Sequence, residues 1–381
     1  MSQNTLWQSG AVAESLRQEN DKYLNQQIIT YLGNKRSLLG WIGQAVEQVK
    51  ARLGRDRLDI FDVFSGSGVV ARMFKQHASH LWVNDLETYS RITNTCYLTN
   101  SKQIDLSRVN QAVKELHQEV ISQLTPGFIT ELYAPRDEKN IQLGERVFYT
   151  RRNAMYLDTA RRLIEDVPES IRDFILAPLI AKASVHANTS GVFKGFYKDS
   201  QTGIGRYGGT AKNALTRICG EISLSMPVLS DFDCDSTVLQ ADALAAAKQM
   251  PTVDLAYLDP PYNQHPYGSN YFMLNLLADY QRPESVSRVS GIPTDWKRSP
   301  YNKKPKALAA LTALLENLKS RFILISFNSE GFIPKHEMVQ LLESIGDLHV
   351  METMYNTFRG SRNLRERSLH VTEYLYLVER H

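Results

Sequence analysis

The chain has 381 residues, long enough for one large α/β domain with a smaller one inserted or appended. Hydrophobic residues make up 43% and charged residues 22%, which excludes wholesale disorder. A net charge of +3 neither demands nor forbids a polyanionic partner, so the distribution of the charge has to decide. Cys96, Cys219 and Cys234 stand far apart without metal-ligand spacing, so neither a disulfide framework nor a metal site is expected, and a reducing compartment is. The first residues show no basic stretch followed by an apolar core, and no apolar run approaches membrane length. A cytoplasmic protein without a secretory signal or membrane contact is expected.

In chain order, apolar spacing from Leu38 through Ile42 to Val46 and Val49 predicts an amphipathic helix. A short β-rich run, Leu58 to Phe64, leads into Ser65-Gly66-Ser67-Gly68, a helical pattern from Val69 to about Gln76, and a second strand from His80 to Asp85. This is a β-loop-α-β unit of the doubly wound kind. From about residue 100 to 235 the character changes to amphipathic helices (106–124, 153–166 and 171–185) and then a glycine-rich loop, 191–209. Strand signals return at 237–240, 254–258 and 321–327, the last two apolar enough for buried parallel strands. A closing pair, 349–355 and 370–378, reads as a hairpin with a long basic connection carrying Arg359, Arg362, Arg365 and Arg367. The division predicted is therefore 1–99, an insert at 100–235, and 236–381.

Two loops carry chemistry. Asp62-Val-Phe64-Ser65-Gly66-Ser67-Gly68 follows the first strand, where an α/β sheet places its ligand, and Asp85 lies about 20 residues on, where a ribose acceptor belongs. A tight turn with a surface Asp is the bland alternative, and the strand–loop–helix context favours a nucleoside-type ligand. The sharper signal is Asp259-Pro260-Pro261-Tyr262 after an apolar strand. Two prolines supply carbonyls without N–H donors on a stiff backbone, so the loop offers a carboxylate, acceptors and an aromatic ring. That set suits a planar group bearing an amine. A rigid turn is the alternative.

Together these motifs resemble the adenine-N6 DNA methyltransferases, and Tyr31-Leu-Gly-Asn-Lys35 is similar to that family's opening motif, with Asn34 where a second glycine is usual. The motif order is that of the Dam-like, D12-type subgroup, found among modification enzymes of restriction-modification systems. Asn263 to Tyr271 and Ile325 to Gly331 are similar to further segments of that subgroup. The resemblance implies a Rossmann-like class I methyltransferase sheet with helices on both faces and a mainly helical target-recognition insert. It implies S-adenosylmethionine as cofactor, lined by Tyr31, Lys35, Asp62, the Phe64–Gly68 loop, Asp85, Asp242 and Asp259, with no metal. Lys35 could equally be a solvated lysine at a helix start, and Asp242 a helix cap. Catalysis would rest on Asp259, Pro260, Pro261 and Tyr262, acting on an adenine flipped out of duplex DNA.

Basic residues cluster in a nearly neutral chain. Lys194, Lys198, Arg206, Lys212 and Arg217 are interleaved with Phe193, Phe196, Tyr197 and Tyr207, and the six basic residues from Arg288 to Lys306 include Arg298, Lys303 and Lys304. Such loops suit phosphate contact and insertion beside bases, although each alone could be a solvated surface. Lys194, Lys198, Arg206, Lys212, Arg298, Lys303 and Lys304 are the DNA-contact candidates. The expected setting is a bacterial or phage-type, nucleoid-associated monomer or weak dimer, with a cognate restriction endonuclease as candidate partner. An RNA adenine methyltransferase and a catalytically idle DNA-binding module remain the competing readings.

Overall fold

A computed structural model describes residues 19–26, 28–31, 33–209, 214–356 and 370–381. Lys212 and the four arginines between 359 and 367 lie outside the described residues. Seven strands form one sheet: β1 (Leu58–Asp62), β2 (Ala78–Asp85), β3 (Asp235–Gln240), β4 (Val253–Leu258), β5 (Ser320–Asn328), β6 (Gly346–Asn356) and β7 (His370–Arg380). Their order is β3-β2-β1-β4-β5-β7-β6. The β1, β2, β3, β4 and β5 pairings are parallel, and β7 runs antiparallel to both β5 and β6.

The alternation that makes these runs strands also splits the core in two. Ile60, Leu81, Leu255, Tyr257 and Leu324 point to one face, where helices Leu39–Leu53 and Val69–Phe74 cover them. Phe61, Ala256, Leu258, Ile323 and Ile325 point to the other, beneath helices Ala243–Gln249, Lys304–Asn317 and Lys335–Glu343. Burial on both faces explains why β4 and β5 are apolar almost throughout.

The third core belongs to the helical layer of Leu106–Ser122, Arg151–Ile164 and Glu169–Val185. It continues without a break into helices Thr88–Leu98 and Phe272–Asp279, which flank the predicted insert in sequence. Asp158 is a tie within this layer. Fully buried, its carboxylate accepts from the Gly127, Ile129 and Thr130 N–H groups at 2.9, 3.1 and 2.8 Å and from the Tyr280 hydroxyl at 2.9 Å. It caps helix Phe128–Tyr133 from a different helix and holds the end of Phe272–Asp279 to both. The glycine-rich loop is pinned by Asn188, whose side-chain amide donates to the Val147 and Arg206 carbonyls while its oxygen accepts from the Gly208 N–H.

The chain leaves β1 toward β2 on one side, while β4 lies on the other. The crevice at the carboxyl ends of these two strands is where an open α/β sheet takes a ligand.

Candidate active site

That crevice holds a cleft of about 910 Å³ of empty space, part of it open to solvent. Tyr31, Lys35, Asp62, Phe64, Ser65, Gly66, Ser67, Asp85, Asp242, Asp259 and Pro261 all line it, so segments distant in sequence meet at one place. Gly68, Pro260 and Tyr262 do not line it, although their sequence neighbours Ser67, Val69, Asp259 and Pro261 do. Gly66 and Gly68 have φ of 53° and 73°, the left-handed region. A Cβ at Gly66 would meet the Tyr31 ring at 3.0–3.2 Å, and one at Gly68 would meet the Asn94 side chain at 2.5 Å. Backbone shape and close approach both demand glycine here. Tyr31 itself lies nearly parallel to Tyr267 and Tyr271, with centroids 4.9 and 4.6 Å away.

Each carboxylate of the cleft has a different environment. Asp62, at the end of β1, is 1% exposed, and neither of its oxygens has a hydrogen-bond partner among the described residues. Burial, then Asp259 and Asp85, push its carboxyl well above the usual range; the Phe64 N–H, outside hydrogen-bonding geometry, pulls the other way. Asp85 is held by the Gly66 N–H at 2.8 Å and the Glu87 N–H at 2.9 Å. Burial raises its carboxyl and those N–H groups oppose the shift. Glu87, 4% exposed, accepts from Asn275 at 2.6 Å and is pushed up to about 7 by burial and by Asp85. Asp242 caps helix Ala243–Gln249 through the Leu244 N–H at 3.0 Å while also facing the cleft, so the two readings of this residue are compatible.

Lys35 is not the solvated lysine that a helix start would give. It is 2% exposed and forms ion pairs with Asp259 at 3.3 Å and Glu373 at 3.4 Å. Burial alone would lower its ammonium, yet the two carboxylates hold it well above the ordinary value. Asp259 follows β4 directly, and burial lifts its carboxyl to about 6 against the pull of Lys35. The Tyr262 ring stands edge-on to Phe327, 5.8 Å between centroids, with the Lys35 ammonium 5.6 Å from its centre.

Of the two basic loops, the later one lines the cleft, through Lys297, Ser299, Tyr301 and Asn302. The Phe193 N–H donates to the Asn270 carbonyl at 2.7 Å and the Ser290 hydroxyl donates to the Lys194 carbonyl, so the glycine-rich loop is stitched to the segment after Tyr262. Burial and the neighbouring Lys194 lower the imidazole of His265. Lys198 lies over Phe196 at 4.7 Å, Arg206 faces Asp199 at 3.8 Å, and Arg298 lies over Trp296 at 4.4 Å. Lys303 and Lys304 are exposed at the start of helix Lys304–Asn317, just past the cleft residues Tyr301 and Asn302. Arg217 departs from the cluster: its guanidinium donates inward to the Val185, Ala187 and Thr189 carbonyls and holds the base of the loop. Lys297 also turns inward, to the Leu86 carbonyl at 2.8 Å.

Glu87, Lys297, Tyr267, Tyr301 and Glu373 escape motif reading, because packing between distant segments brings them to the site. Glu373 did carry a signal. In β7 it occupies the same face as Val371, Leu375 and Leu377, a charge among buried apolar positions.

The chain is 28% identical to the type II methyltransferase M.NlaIII of Neisseria lactamica over 92% of this chain and 99% of that protein. It is also 28% identical to the type II methyltransferase M.CviAII of Paramecium bursaria Chlorella virus 1, over 92% and 98% of the two chains. Identity to the modification methylase StsI of Streptococcus sanguinis is 26%, over 92% of this chain and 52% of that protein. Residues 31–340 match the D12 class N6 adenine-specific DNA methyltransferase family as a whole, and the chain belongs to that family.

Proposed function

We propose that the cleft binds S-adenosylmethionine and that Asp259, Pro260, Pro261 and Tyr262 present a flipped-out adenine of duplex DNA to it. The main support is the convergence of the Asp62–Gly68 loop, Asp85, Lys35 and Asp259 on one cleft at the switch point between β1 and β4. The donor set fits the cofactor. Asp62 offers two buried carboxylate oxygens without partners to an ammonium group, and Asp85, already oriented by two N–H groups, offers its remaining lone pairs to ribose hydroxyls. Bound there, S-adenosylmethionine supplies an electrophilic methyl group.

The protein's own part is positioning and electrostatics. Asp259 and the Pro260 carbonyl accept the two amino hydrogens of adenine, which localises the nitrogen lone pair. Tyr262 stacks on the base, and Asp259 receives the proton that the amino nitrogen gives up. The sheet then corresponds to a Rossmann-like class I methyltransferase core, and residues 100–235 to a target-recognition insert. Two relatives are type II methyltransferases and one is a modification methylase. We assign this chain the corresponding role, marking host DNA against a cognate restriction endonuclease.

The test is transfer of labelled methyl to unmethylated duplex DNA. Asp259→Ala should fold and lose transfer. Tyr262→Ala should lose more than Tyr262→Phe or Tyr262→Trp, because stacking needs the ring and not the hydroxyl. Near-wild-type transfer by a folded Asp259→Ala protein would remove Asp259 from the mechanism.

A further inference from the structure

No described residue of β7 lines the cleft, but Glu373 pairs with one that does, Lys35. This strand pairs with β5 in a register that sets Glu373 opposite Asn328, whose side-chain amide lies 3.5 Å from Glu373 Oε1. The other oxygen, Oε2, meets Lys35 Nζ at 3.4 Å, nearly the 3.3 Å that separates the same nitrogen from Asp259 Oδ1. The Lys35 and Glu373 side chains are 3% and 4% exposed, so water does little to weaken their interaction. A buried ammonium between two carboxylates cannot neutralise both.

We propose that Glu373 is a positioning residue for Asp259: by drawing on the Lys35 ammonium that keeps Asp259 ionised, it tempers that pull and preserves the strength of Asp259 as an acceptor for the adenine amino group. The inference deepens the reading of Asp259 given above and rests on it. A lysine paired with Asp259 alone would hold the carboxylate tightly and weaken it as an acceptor. Without the lysine, burial and the nearby Asp62 would keep Asp259 protonated over a wider pH range. Glu373 sets a balance between those extremes. The other titratable groups facing this cluster are Asp62 from β1, Tyr257 from β4, and Tyr262 and Tyr267 from the loop that follows. Burial holds the Tyr257 and Tyr267 hydroxyls well above their ordinary value, so both stay neutral in the range concerned and leave Asp62, Lys35 and Glu373 as the charges that Asp259 meets.

The experiment titrates the Asp259 carboxyl carbon by NMR in the free protein, with the signal assigned by its loss in Asp259→Asn, alongside single-turnover transfer of labelled methyl to unmethylated genomic DNA. Glu373→Gln keeps an acceptor for Asn328 and removes the charge, and should lower the Asp259 midpoint by about one pH unit. Lys35→Met should raise it. The acid limb of the transfer rate should follow in each case. Glu373→Asp, which retreats from Lys35 by one methylene, should move the midpoint part of the way, and it carries the test if the Gln protein does not fold. An unmoved midpoint in a folded variant overturns the proposal, as does a loss of rate without displacement of the limb. A midpoint that moves without the rate following leaves Glu373's hold on Asp259 intact and instead overturns the part given to Asp259 in transfer.

Discussion

In the proposed mechanism Asp259 must be ionised to take the proton from the amino nitrogen, and its burial works against ionisation. With its carboxyl lifted to about 6, methyl transfer should fall as pH drops through that value, well above the range of an ordinary aspartate. A pH–rate profile of single-turnover transfer checks this, and an acid limb near 4 would contradict it. Glu87 carries the same physics into stability. Its carboxyl sits at about 7 in the fold against 4.5 for the ordinary group, so the native state holds a proton that the unfolded chain releases. The sign follows from linkage: stability is lost as pH rises from about 4.5 through about 7, by up to about 3 kcal/mol. Thermal unfolding across that window should show the decline in the wild type and a flatter curve in Glu87→Gln. Asp85→Ala should weaken S-adenosylmethionine binding by about 1–3 kcal/mol in calorimetry, the scale of hydrogen bonds lost from a charged group.

At the scale of elements, two features separate binding from folding. Gly66 meets the Tyr31 ring in the left-handed region, so Gly66→Ala has to displace a ring stacked on Tyr267 and Tyr271 and strain the loop that faces the cleft. Loss of cofactor affinity should exceed loss of stability, as paired calorimetry and denaturation would show. Asp158→Ala should do the reverse. It strips the cap from helix Phe128–Tyr133 and leaves several N–H donors buried without partners, at a cost of about 2–4 kcal/mol in denaturant unfolding. The elements themselves were largely legible. The apolar runs and Gly66/Gly68 punctuation around β1 mark strand, loop and helix within a few residues of where they stand, and β6 and β7 form the expected hairpin. Asp158 was not legible, because a buried aspartate mid-helix looks like any solvated one until its distant partners are known. Arg217, counted with the basic cluster though not among the contact candidates, was opaque for the same reason: the carbonyls it faces from helix Leu215–Cys219 are distant in sequence.

At the scale of the molecule, the face proposed for DNA carries the 297–304 segment, which lines the cleft through Lys297, Ser299, Tyr301 and Asn302, and the glycine-rich loop tied to Asn270 and Ser290. If this face meets DNA, alanine at Lys303 or Lys304 should weaken all sequences alike and reduce the salt slope by about one unit per lysine. Among Lys194, Lys198 and Arg206, a base-reading residue should instead cost about 1–3 kcal/mol and relax choice at one position. Alanine at Arg298, which is stacked on Trp296, is expected to act as the two lysine variants do. Affinity for cognate and non-cognate duplexes across a salt series separates the two classes, and no change at either loop would return these residues to solvated surface. The Asp259–Tyr262 loop could be singled out as a candidate because its residues are contiguous along the chain, whereas the charge partners of Asp259, Lys35 and Glu373, come from segments far from it in sequence. The central claim is adenine-N6 methylation at a defined sequence by way of Asp259. It is tested most directly by sequencing methylated bases in DNA from a methylation-deficient host expressing either the wild-type chain or Asp259→Ala. The account predicts N6-methyladenine at one short recurrent motif with the wild type and none with the variant; unmodified adenines in both, or the same motif modified in both, would contradict it.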